Sequence, residues 1–262
     1  MKEPCHDTGK STCNKSHHYA EPHGHTVSNQ NRTDDDNGVP LSSREYDYGT
    51  LAENIVKPTS TREHYYINWT PSVVAVTSDK TYTAQYEPIV YSAMSRPSEF
   101  MGQNRIEGVA NTYDADPETY AYNTSTSSYA YINCLRKFNI SLPSEAKVIG
   151  VSLFVKCSTD NSGSSNYIYV DLWRQDSATS TAKSEIIRNH YLIDGVATSP
   201  QYVEMPIDLD VLTNALSYTA TIVDWLNPST YPMPSVDVHF LGSSKGSTKV
   251  YDIYLQAKYT MV

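Results

Sequence analysis

Along most of this chain apolar and polar residues alternate one for one, the two-residue period of a strand with one buried face. In KTYTAQYEP (Lys80–Pro88), Tyr82, Ala84 and Tyr86 point one way, Thr83 and Gln85 the other. VIGVSLFVKC (Val148–Cys157) sets Val151, Leu153, Val155 and Cys157 against Ser152, Phe154 and Lys156. YIYVDLW (Tyr167–Trp173) turns Ile168, Val170 and Leu172 inward and Tyr167, Tyr169, Asp171 and Trp173 outward. VDVHF (Val236–Phe240) and KVYDIYLQAKY (Lys249–Tyr259) repeat the alternation, and PLSSREYDYG and REHYYINW add two earlier strands. Polar Ser/Gly/Asn/Asp segments separate them: DDDNG (Asp34–Gly38) is a turn, and STDNSGSSN (Ser158–Asn166) a loop. Two stretches depart from the period. TLAENIVKP predicts a helical turn or two closed by Pro58, and LDVLTNALSYTATIVDWL (Leu209–Leu226) a short helix.

Composition supports the same class. Tyr is abundant at 22 residues and Phe scarce at 4, which favours strands that keep a polar tip on a large ring. The formal net charge of −9 argues against nucleic acid as a partner, since phosphate binding needs basic stripes. No apolar run is long enough for a membrane helix, and the first residues lack the apolar core of a signal peptide. The expectation is an all-β chain without membrane insertion: an irregular anchoring tail over 1–24, a small β module over 25–89, a linker or lead-in strand over 90–105, and a jelly-roll/β-sandwich domain over 106–262.

The first module's motifs carry a resemblance. DDDNGVPL, YDYG, PTSTREHYYINW and VTSDKTYTAQY follow one another in the order of the internalin-type B-repeat, a β-grasp-like module of bacterial surface proteins, with Asn68 where that family usually has Gly. The resemblance implies a spacer and no chemistry. From VANTYDADPETY to VIGVSLFVKC, and again at GSTKVYDIYLQAKYTM, the second part resembles jelly-roll domains of tailed-phage virion surface proteins. That implies an accessory structural protein on a virion surface, assembled in the host cytoplasm. A capsid head fibre or decoration is favoured over a tail position. Its expected partners are other virion proteins, further copies of itself in a homo-oligomer such as a trimer, and host-surface glycan. A carbohydrate-binding adhesin on a bacterial cell surface is the alternative, and a polysaccharide depolymerase ranks third.

Candidate chemistry is sparse. Cys5, Cys13 and His17, with further histidines, bring zinc ligand types into the tail, at a spacing that matches no finger. Asp114 and Asp116 in TYDADPETY suit calcium as hard ligands, and suit an Asx turn better. Tyr167, Tyr169 and Trp173 would line one sheet face as a glycan or subunit contact. No nucleophile elbow, HExxH, P-loop or GxGxxG occurs, and His64, His190 and His239 stand isolated in sequence, so no enzyme is expected and no cofactor is required. Cys134 and Cys157 fall in neighbouring strands and pair only if those strands share a register.

Overall fold

The computed structural model describes residues 25–29, 42–55, 57, 60, 63–78, 82–125, 130–160, 166–179, 183–194, 198–216, 220–228, 231–242 and 244–261. The tail with Cys5, Cys13 and His17 and the acidic turn at 34–38 lie outside them. Two compact units, Met1–Tyr86 and Glu87–Val262, make up the chain, and strands dominate both.

In the first unit β1 (His25–Asn29) pairs antiparallel with β2 (Ser42–Tyr46), and β3 (His64–Thr70) forms a second sheet with β4 (Thr83–Pro88). The expected helical turn is a 3-10 turn at Ala52–Asn54. The alternation in KTYTAQYEP is obeyed: Tyr82, Ala84 and Tyr86 are buried with Ile55, Trp69 and Val76. Edge-to-face contacts of Tyr66 with Trp69 and Tyr86, both at 6.0 Å, build this small core from rings rather than from leucines.

The second unit runs β5 (Val90–Tyr91), β6 (Gly102–Asn104), β7 (Ile106–Glu107), β8 (Ala121–Asn123), β9 (Ala130–Arg136), β10 (Ala146–Thr159), β11 (Tyr167–Gln175), β12 (Lys183–Asp194), β13 (Gln201–Ile207), α1 (Leu209–Leu216), α2 (Ile222–Leu226), β14 (Met233–Leu241) and β15 (Thr248–Met261). One sheet has the order β13-β10-β15-β8-β7, with β5 also on β15; the other is β12-β11-β14-β9-β6. The antiparallel partners β8–β15, β9–β14, β10–β13 and β11–β12 are nested like the two arms of one long folded hairpin. That nesting is the jelly roll, so the all-β expectation holds. Residues 90–105, read in the sequence as a linker or a lead-in strand, supply β5 and β6 to the two sheets, and Ser95 bridges to Leu255. Their short apolar stretches were too brief to show a period.

The inward faces meet in one apolar core. Val151, Leu153, Val155 and Cys157 from one sheet and Ile168, Val170, Leu172, Val236, Val238 and Phe240 from the other are all buried in it. Leu212, Leu216, Trp225 and Leu226 of the helices join them. The helical segment holds two helices rather than one. α2 starts at a capping box, in which Thr221 Oγ1 accepts from the Asp224 N–H at 3.1 Å and the Asp224 carboxylate accepts from the Thr221 N–H at 3.0 Å.

Asn123 ties β8 to the turn before β15. Its Nδ2 donates to the carbonyls of Ser125 and Ser244, both at 2.9 Å, and its Oδ1 accepts from the Thr248 N–H at 3.0 Å and hydroxyl at 2.9 Å. Gly242 makes room: a Cβ there would lie 2.2 Å from Ser247 Oγ and 2.7 Å from Asn123 Nδ2. Asn123→Ala leaves buried donors and acceptors unsatisfied, so we expect about 1–3 kcal/mol of lost stability in urea denaturation.

Candidate functional site

The face of the five-stranded sheet turned away from the core carries the outward residues of β11 and β14. Register places Asp171 directly opposite Asp237, Tyr169 opposite His239, and Trp173 opposite Ser235. Asp171 and Asp237 are each 6% exposed and His239 8%. His239 Nε2 lies 3.1 Å from Asp171 Oδ2, and the Tyr169 ring stacks on the imidazole at 4.5 Å, interplanar angle 11°. The Asp237 carboxylate takes the Cys134 N–H at 2.7 Å on Oδ1 and the Lys183 ammonium on Oδ2. Lys183 Nζ also sits over the Trp173 ring, 4.3 Å from its centroid.

A bulge creates the Asp237 contact. Between the pairs Val236–Leu135 and Val238–Ile132, Asn133 and Cys134 together face the single residue Asp237. Cys134 takes the left-handed conformation at φ 59°, which turns its amide to the carboxylate. Its thiol donates to Gln175 Oε1 at 3.3 Å, and burial pushes that thiol above its ordinary pKa. Cys157 lies in the other sheet, and burial pushes it up to about 12. Both cysteines are free, buried and in separate sheets, so they cannot meet through strand register.

The outer face of the six-stranded sheet is a second aromatic surface. Phe154 stacks on Tyr254 at 4.8 Å, and Tyr202 meets Tyr254 edge-on at 5.7 Å. Arg96 grips Asp252 with two bonds, Nε to Oδ1 at 2.7 Å and Nη2 to Oδ2 at 2.8 Å. The Tyr202 hydroxyl donates to Asp252 Oδ2 at 2.9 Å. Partial burial and then that bond push the phenol up to about 12, so it remains a donor at neutral pH. Further along, Lys156 lies over Tyr251, Lys249 over Tyr120 and Lys258 over Tyr91. Tyr202 is 51% exposed, Tyr91 44% and Met94 53%.

The sequence-predicted residues divide accordingly. Tyr167, Tyr169 and Trp173 share the predicted outer face and are half-buried; Tyr169 gives one ring face to His239, and Trp173 one to Lys183. Asp114 and Asp116 form turns on an exposed loop. Asp114 accepts from the Asp116 N–H at 2.9 Å and the Thr119 hydroxyl at 2.8 Å, and Asp116 from the Glu118 N–H at 2.9 Å. His239 is not isolated: the β11–β14 register brings it to Asp171. Arg96, Asp252 and Tyr202 escaped sequence reading because their segments are about 50 or more residues apart and nothing local joins them. Among the described residues, one group of three ligand-type side chains converges, namely Asp171, Asp237 and His239. No protein-family model matches the sequence, and comparison with curated proteins gives no significant match.

Proposed function

We propose that this chain is an accessory structural protein displayed on a tailed-phage virion, on the capsid rather than the tail, whose sandwich contacts host-surface glycan. The carrying observation is the outer face of the six-stranded sheet. Half-exposed rings at Tyr202 and Tyr91 offer flat surfaces for sugar C–H groups, and the fixed Arg96–Asp252–Tyr202 cluster offers polar groups beside the Tyr202 ring. Each contact is weak, and many copies on one particle multiply it. The placement on a virion rests on the jelly-roll resemblance of the sequence. The B-repeat resemblance favours a second reading, a bacterial cell-surface adhesin, and immunogold labelling of particles against cell envelopes separates the two.

A glycan array with the purified chain tests the contact itself. Saturable binding is expected. Tyr202→Ala should weaken it about tenfold by removing a stacking ring from the exposed edge, with little change in melting temperature. Binding to no glycan, or binding indifferent to Tyr202→Ala and Tyr91→Ala, overturns the glycan contact.

A further inference from the structure

We propose that Asp171, Asp237 and His239 form a site for one divalent cation of the Mn²⁺/Zn²⁺ class on the outer face of the five-stranded sheet. The site is independent of the display reading. Each side chain offers one ligand atom, all three atoms lie within 4.8 Å of one another, and all three residues are buried. The 3.1 Å between His239 Nε2 and Asp171 Oδ2 is close to the separation of two neighbouring ligands around an ion with bonds of about 2.1 Å. Two carboxylates with one imidazole suit this class of ion; calcium prefers six to eight oxygens.

Charge gives an independent reason. Like charges directly opposite on paired strands repel, and burial magnifies the cost. Asp171 and Asp237 are so placed, and Asp237 already holds a cation, the Lys183 ammonium on its Oδ2, which also lies over Trp173. Beside it the Trp173 Nε1–H is buried and, among the described residues, has no hydrogen-bond acceptor. The supports of a ligand set are also present. Tyr169 fixes the imidazole plane, and the Cys134 N–H holds Asp237 Oδ1. A divalent ion bound by the three side chains would take the place of the Lys183 ammonium on Asp237. Lys183 is therefore its competitor.

The test titrates the full chain with MnCl₂ and reads free Mn²⁺ by electron paramagnetic resonance. Mn²⁺ is the probe because the thiolates and imidazoles at Cys5, Cys13 and His17 favour zinc. One bound equivalent is expected, displaced by Zn²⁺. His239→Gln and Asp171→Asn, checked for folding by circular dichroism, should each weaken it by more than the roughly 10–100-fold that loss of a supporting partner costs. Lys183→Gln should tighten it, and the triple variant Cys5→Ser/Cys13→Ser/His17→Ala should leave it unchanged. No saturable binding, equal binding by folded His239→Gln, or loss of binding in the tail variant overturns the proposal.

Discussion

Asp237→Ala is expected to cost about 3–5 kcal/mol of stability in urea denaturation, among the largest losses from any single polar residue of the sandwich. Its carboxylate does two jobs in a buried place: it neutralises Lys183 and accepts the Cys134 N–H at the bulge. Truncation leaves the half-buried ammonium, among the described residues, with Asn133 Oδ1, 3.4 Å away, and the Trp173 ring, and leaves a buried amide without its acceptor. Relief of the repulsion from Asp171 works in the opposite direction and puts the result at the lower end of that range. Lys183→Gln keeps the bulge contact but leaves the buried Asp237 carboxylate without its cation, so it too should be clearly destabilising, short of the Asp237→Ala loss by the cost of the stranded amide. A loss below about 1 kcal/mol for Asp237→Ala, the range of a surface ion pair, would show that the carboxylate is solvated and the cluster open.

Trp225→Ala should cost a similar amount, about 3–5 kcal/mol, by a different route. The indole is fully buried among the core residues, and α2 is held to the chain beyond β9 by the Ile140 N–H on the Leu226 carbonyl at 2.8 Å. Its removal opens a cavity that a short capped helix cannot collapse into without giving up that bond. Among the described residues Trp225 Nε1 has no hydrogen-bond partner, so the indole contributes volume rather than polarity. Trp225→Phe, which keeps most of the volume, should therefore be much milder. Equal losses for the two variants in thermal unfolding would overturn the packing account.

What the sequence disclosed follows the range of the physics that wrote it. Which side of a strand a residue takes is decided by its immediate neighbours, and Val151, Leu153, Val155, Ile168, Val170 and Leu172 all lie inward as their alternation requires. Which strand lies alongside is decided by the whole core. The register that sets Asp171 against Asp237 joins segments more than 60 residues apart, and no local pattern records it. The same limit hid the partners of Tyr169 and Trp173: their face was legible, whereas the histidine and lysine that cover one side of each ring were not. Bulges blur even the local signal. At Cys134 and at Tyr251 an extra residue shifts the alternation partway along the strand.

The nesting of the strands also governs when the sandwich can form during synthesis. β15 is the last strand of the sandwich to be made, yet it lies inside its sheet, between β10 and β8, and it carries Val250, Ile253, Leu255 and Ala257 into the core. Until residue 261 has left the ribosome, the sheet exists as separated pieces with their apolar sides uncovered. The first unit has its own small core complete at Tyr86 and can close long before. At some 5–20 residues per second, the nascent second unit stays incomplete for roughly ten seconds or more.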